Sequence, residues 1–239
     1  MTAGSDDGRV VQAYARVAGA LLLLSMVAGG FGEGYVPSKL IVSSSAAATV
    51  QNLHAFESLY RMGFASYLVE AVCDVALALI FYVLLRPVGR NVALLTAFFG
   101  LLGTATFATS EMFYLAPVLL LGGSDALKAF SPDQLCTLAL LSLKVYGYSG
   151  MTFTVFYGVA WVVRGTLMFR SGYLPKFLGV LMALGGLGFV ARNFLLVLAP
   201  DHAPQWLLLL MVPGGLSLAV WLLVKGVDGK KWEAATTTH

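Results

Sequence analysis

Charge is what this chain has least of. Only 11% of its 239 residues are Asp, Glu, Lys or Arg, less than half of the roughly 25% usual in a soluble domain. Its 15 basic and 12 acidic side chains cannot clothe a water-soluble globule of that size, which excludes a soluble enzyme. A net charge of +3 is too small to mark a nucleic-acid reader. Two cysteines, Cys73 and Cys136, sit in apolar stretches without metal-type spacing, so a disulfide framework is excluded too. Three histidines, one of them terminal, cannot supply paired haem ligands. There is no phosphate-cradling glycine loop before a lysine, no H-E-x-x-H and no nucleophile elbow. The alternating ten-residue segments of a lipid-facing barrel are missing as well.

What is present is apolar: 59% hydrophobic residues and a mean hydropathy of +0.83. Runs near twenty residues, the length that crosses a 30 Å hydrocarbon core as helix, fall at about 17–31, 62–85, 92–121, 135–163, 177–198 and 206–224. These predict an all-α integral membrane protein, a bundle of six transmembrane helices. Spans three and four are longer than a bilayer needs, so they should tilt, kink or protrude. Turn chemistry separates the runs at Arg86-Pro87-Val88-Gly89, Gly122-Gly123-Ser124-Asp125, Ser171-Gly172 and Pro200-Asp201-His202-Ala203-Pro204. Ser131-Pro132-Asp133 reads as a helix start. Gly179 and Ala183, four apart, predict a close helix approach.

With six spans both termini share a side. That side carries Arg9, Arg16, Arg86, Arg90, Arg164, Arg170, Lys176, Lys225, Lys230 and Lys231, against Lys39, Arg61 and Lys128 opposite. The positive-inside rule therefore predicts cytoplasmic termini. The division expected is a cytoplasmic segment over 1–16, one six-helix domain over 17–225 and a polar, mobile cytoplasmic tail over 226–239. Ala28-Gly29-Gly30 offers no clean cleavage site, so the first span is expected to be retained.

Ionisable residues inside the spans carry most of the functional information, because each costs at least about 2.5 kcal/mol in lipid. Glu70 and Asp74, four apart in span two, share one helix face with Tyr67. Glu111 lies in span three in line with Phe107 and Tyr114, Lys144 in span four in line with Tyr148, and Arg192 beside Asn193 in span five. These predict a nearly balanced polar cluster inside the bundle. It reads either as structural ion pairs or as a substrate site. In the second reading Asp74, Glu70 and Glu111 are catalytic, while Lys144, Arg192, Tyr67, Phe107, Tyr114, Tyr148 and Asn193 bind substrate. Glu33, His54, Glu57 and Arg61 are placed at an outer mouth, Glu57 and Arg61 as an i,i+4 pair. The inner halves of the spans are expected to be almost free of charge, giving a polar funnel on an apolar floor with Asp74 as its deepest acid.

Glu57-Ser58-Leu59-Tyr60-Arg61-Met62-Gly63-Phe64, Cys73-Asp74-Val75-Ala76-Leu77-Ala78-Leu79 and Tyr82-Val83-Leu84-Leu85-Arg86-Pro87-Val88 resemble a bacterial domain-of-unknown-function family (catalogued as four-three-eight-six). So do Ser131-Pro132-Asp133-Gln134-Leu135, the stretch from Arg170 to Gly179, and Trp221-Leu222-Leu223-Val224-Lys225-Gly226. The resemblance implies a small bacterial multi-pass protein of the cytoplasmic (inner) membrane and supplies no activity. It leads to expect a histidine ahead of Gly147-Tyr148, where this chain has Lys144-Val145-Tyr146.

Three functions follow as expectations. The first is a membrane enzyme doing acid–base chemistry on an isoprenoid or other lipophilic substrate, since an acid kept from water can hold a proton and donate it. Aromatic faces would steady a cationic intermediate. Small membrane terpene cyclases offer the analogy. The second is a proton-coupled transporter, with Pro213-Gly214-Gly215 breaking span six. The third is a non-catalytic binding or scaffold protein. Partners expected are membrane lipids and a lipophilic small molecule, not nucleic acid. No cofactor is expected, with Mg2+ as the alternative if the substrate is a diphosphate, because Glu70 to Asp74 has the spacing of the prenyltransferase D-x-x-x-D element.

Overall fold

The computed structural model describes residues 3–237, with side chains from residue 8. Every regular element among the described residues is helical, and six stretches are long and apolar enough to cross a membrane, as the apolar runs predict. The first of them, Gly8–Leu40, changes geometry on the way. Helix α1 (Ala3–Gly29) widens into a π-helical segment, Gly30–Tyr35, and tightens again in α2 (Val36–Leu40). Then come α3 (Ala46–Ala55), α4 (Glu57–Leu85), α5 (Arg90–Leu120), α6 (Pro132–Ser171) and α7 (Lys176–Leu198). The last span is broken at Leu210 into α8 (Trp206–Leu209) and α9 (Met211–Val224), and α10 (Gly229–Thr237) follows. At about 1.5 Å per residue, the 40 residues of α6 run about 60 Å, twice the hydrocarbon thickness.

Local chemistry sets these boundaries. At the start of α6 the Ser131 backbone N–H donates to Gln134 Oε1 at 2.8 Å, and the Gln134 N–H donates to Ser131 Oγ at 3.3 Å. This reciprocal capping box precedes a proline that has no N–H to lose in the first turn. Gly123 and Gly172, after α5 and α6, adopt φ of 73° and 71°, a region that favours glycine.

The chain divides into two compact units. Unit 1 holds the described residues up to Leu24, Cys73–Thr104 and those from Phe153 onward; unit 2 holds Ser25–Val72 and Ala105–Thr152.

In unit 1, α1 buries Ala15, Ala18 and Leu22, spaced as one helix face, in a core with Phe81, Leu84, Met182 and Leu218. Glycines let α6 and α7 touch backbone to backbone. A Cβ on Gly186 would stand 2.5 Å from the Gly158 carbonyl oxygen, and one on Gly165 would stand 2.5 Å from that of Gly179 and 3.0 Å from the Ala183 Cβ. The small-residue approach expected at Gly179 and Ala183 is therefore present. Gly186→Ala should cost about 1–3 kcal/mol, because rigid backbone rather than a mobile side chain must move. Chemical unfolding in one fixed detergent reads the cost, and an unchanged midpoint would refute the backbone contact.

The tail expected to be mobile is instead helical and packed. Trp232 of α10 is buried, and its indole N–H donates to the Leu84 carbonyl at 3.0 Å. Tyr173, in the turn between α6 and α7, donates to the same oxygen at 2.6 Å. Burial pushes the Tyr173 phenol above its ordinary range, so it stays protonated and remains a donor. Together the two side chains satisfy a carbonyl that the end of α4 leaves open. A tail rich in Lys and Thr hides this anchor from a composition-based reading.

In unit 2 the core gathers Val36, Leu40, Leu53, Tyr60, Tyr114 and Leu143. Tyr60 and Tyr114 stack at 4.3 Å and 18°, and each phenol donates to the other residue's backbone carbonyl. Both hydroxyls are thereby spent on locking α4 to α5.

Candidate functional site

Two buried polar groups emerge, one in each unit. In unit 2 the sequence brings carboxylates and aromatic rings together from four helical stretches. Glu111 of α5 is 2% exposed, and Tyr146 of α6 hydrogen-bonds its carboxyl. Its Oε1 is buried with no hydrogen-bond donor in reach among the described residues. Tyr67 of α4 lies within the electrostatic reach of Glu111, Glu70 and Glu33 together. Its ring meets Phe107 edge-on at 4.7 Å, while Tyr114 meets Tyr146 at 5.3 Å. Tyr67, Phe107 and Tyr114 are thus buried around the acids, as their helical spacing predicts.

The π-helical segment places Glu33. Glycines at 29 and 32 bring it against α4: a Cβ on Gly29 would stand 2.8 Å from the Glu70 carboxylate, and one on Gly32 would stand 2.8 Å from the Gly63 carbonyl oxygen. Glu33 itself is exposed yet acts on Tyr67, Tyr146 and Glu111. Its charge thus reaches the acids and tyrosines of this group from an exposed position. A glutamate between two glycines resembles a loop; the wider π turn keeps it helical.

Arg61 Nη2 pairs with Glu57 Oε1 at 2.7 Å on a continuous α4, and His54 comes from the preceding α3. With Leu53, Tyr60 and Pro117 they line a cleft of about 110 Å³. The triad therefore flanks a recess, and the tyrosine in its wall, Tyr60, is the one stacked on Tyr114.

Lys144 and Tyr148 require correction. Both are exposed, Tyr148 at 67%. The inward face of α6 here runs through Ala139, Leu143 and Tyr146, and a lysine one residue past Leu143 is turned about 100° away. Lys144 does not supply the interior cation. The other Lys and Arg of unit 2 are exposed too: Lys39 over the Tyr35 ring at 5.9 Å, Arg61 on Glu57, and Lys128 on Asp125 at 2.6 Å. Among the described residues of unit 2, no lysine or arginine is buried beside Glu111.

Unit 1 holds Asp74 and Arg192, with a partner that the span count conceals. Arg164 of α6 is 3% exposed; its guanidinium lies 4.3 Å over the Phe81 ring, and Asp74 acts on it electrostatically. Asp74 is 6% exposed. An apolar floor below Asp74 is thus contradicted, because Arg164 sits at Phe81, seven residues further along α4. Ending span four at residue 163 placed Arg164 in a loop. The signal was legible: Tyr157, Trp161 and Arg164 fall on one helix face, and apolar residues continue to Phe169. Asn193 is buried and donates to Thr154 Oγ1 and to the Phe189 carbonyl, both at 2.7 Å. Arg192 is half-buried. Of the five expected cluster residues, Glu70 and Glu111 belong to unit 2, Asp74 and Arg192 to unit 1, and Lys144 is exposed.

Among the described residues no three His, Cys, Asp or Glu side chains converge as metal ligands.

An uncharacterized protein of Archaeoglobus fulgidus is 28% identical over 155 residues, 65% of this chain and 78% of that one. No solved structure matches the chain significantly. The family model described as a domain of unknown function, DUF4386, matches residues 17–226, nearly the whole helical part. The chain is a multi-pass membrane protein that belongs to the DUF4386 family.

Proposed function

We propose that the protein is a membrane enzyme performing acid–base chemistry on a lipophilic substrate of the isoprenoid class, with Glu111 as its acid. The observation that carries this reading is the buried Glu111 carboxyl, held by Tyr146 with Tyr67, Phe107 and Tyr114 about it, and with no buried lysine or arginine among the described residues of unit 2. A carboxyl O–H donates its proton to an alkene carbon, and positive charge develops on the adjoining carbon. The aromatic faces stabilise that charge. Glu70, whose charge also reaches Tyr67, removes a proton from a neighbouring carbon, so the product is an isomer of the substrate, and proton exchange between the two carboxyls resets the acid. Asp74, which acts electrostatically on Arg164, positions helices and is not the reacting acid.

Conversion tests this. Liposomes carrying the protein, supplied with geranylgeraniol or squalene, should yield a product of unchanged mass and altered retention, and liposomes with Glu111→Gln should not. Failure of the wild type to convert either probe, or equal conversion by the variant, overturns it.

A second reading, proton-coupled transport, draws on the discontinuous last span at Leu210 and the π segment in the first, since broken helices commonly frame transport sites. Uptake into liposomes driven by a pH gradient, with no chemical change in the cargo, would favour it.

We further propose a bacterial inner-membrane location with both termini in the cytoplasm. Nine lysines and arginines still flank that side once Arg164 is removed from the ten. In a Cys73→Ala, Cys136→Ala background, single cysteines at Ser124 or Ala203 should react with an impermeant maleimide in intact cells. Labelling only after permeabilisation would invert the topology.

A further inference from the structure

Two recesses border α10, and they differ in charge. One is lined by Arg9, Arg16 and Lys230 but also by Asp228 and Glu233, and Asp228 already holds Lys231 at 3.4 Å. The other is formed by Tyr82, Arg86, Pro87, Arg90 and Thr236, two guanidiniums and two hydroxyls without a carboxylate. None of the ion pairs among the described residues involves Arg86 or Arg90.

This second recess is built rather than incidental. Arg86 directly follows α4 and Arg90 opens α5, across a turn fixed by Arg86 N–H to the Tyr82 carbonyl at 2.9 Å and Val88 N–H to that of Leu85 at 3.0 Å. Pro87 is buried beneath it. The far wall, Thr236, is held by the anchored Trp232 of α10. Because α4 and α5 both have membrane length, the recess lies where hydrocarbon meets headgroups.

Each arginine also heads an exposed apolar stripe. On α4, Arg86 and Tyr82 continue at helical spacing into Leu79 and Val75, 59% and 51% exposed. On α5, Arg90 continues into Leu94 and Phe98, 39% and 60% exposed. Paired cations above two apolar tracks match a phosphate above two acyl chains.

We infer that the Arg86–Arg90 recess binds an anionic phospholipid, the two guanidiniums bracketing its phosphodiester and Tyr82 donating to the headgroup. Net negative charge is selected because a choline or ethanolamine ammonium would meet two arginines and no acid.

The test is lipid binding by the full chain in a neutral detergent, followed by native mass spectrometry with phosphatidylglycerol, phosphatidylcholine and inorganic phosphate as probes. Phosphatidylglycerol should bind at least about tenfold more tightly than phosphatidylcholine. Arg86→Gln with Arg90→Gln should erase that preference while leaving lipid-free thermal unfolding unchanged. Arg9→Gln with Arg16→Gln should keep it. If the double variant misfolds, Arg90→Gln alone should lose part of the preference. Equal binding of the two lipids by the wild type, or a preference surviving in the folded variant, overturns the inference. Displacement of phosphatidylglycerol by millimolar inorganic phosphate would mark a soluble-anion site and overturn it too.

Discussion

Arg164→Met should cost about 1–3 kcal/mol of stability, the range expected when a buried side chain loses its ring contact and its electrostatic partners. The variant removes a buried guanidinium on which Asp74, 6% exposed, acts electrostatically. It also removes the cation held 4.3 Å above the Phe81 ring. The double variant Arg164→Met, Asp74→Asn should recover most of this loss, because a neutral amide no longer needs a countercharge. Arg164→Lys should fall between, keeping charge but losing the planar stack. Unfolding in a fixed detergent separates the outcomes. A single variant within about 1 kcal/mol of wild type, or a double variant as unstable as the single, would show that the two charges are not coupled.

The six spans were legible because lipid imposes a length, and the glycines and prolines that interrupt the runs mark real turns at Gly123 and Gly172. Two features escaped for one reason: local polarity was read as an end of structure. Glu33 between glycines looks like a loop, and only the packing of Gly32 on Gly63 shows a helix passing there. The tail after Gly226 looks polar, yet one tryptophan ties it to Leu84.

The candidate site was legible in its residue types and less so in its partners. Helical spacing places Tyr67, Phe107, Glu111 and Tyr114 inside, as found. It could not choose between Lys144 and Tyr146, two residues apart, for the inward position on a 40-residue helix whose polar residues are scattered around its circumference. Nor could a rule that counts flanking arginines recognise that Arg164 is no flank. Both misreadings concern α6. Its length, about twice the bilayer's need, makes depth unreadable from its ends.

Exchanging Lys144 for Tyr146 changes what the site can do, and Glu111→Gln measures the change. With a lysine beside it, Glu111 would be half of an ion pair, and a glutamine would disturb folding first. With a phenol beside it, glutamine keeps the shape and can still accept the Tyr146 hydrogen bond, so folding should be nearly untouched. What glutamine lacks is the transferable proton. Isoprenoid turnover should fall by about 10²–10⁴-fold, the range of a positioned acid or base. Tyr146→Phe should lose much less, because the acid remains and only its positioning bond goes. Turnover of the liposome-bound proteins, normalised to folded protein, decides the matter. Equal losses from the two variants would mean that Tyr146 itself carries the proton, and a Glu111→Gln loss explained wholly by unfolding would return Glu111 to a structural role.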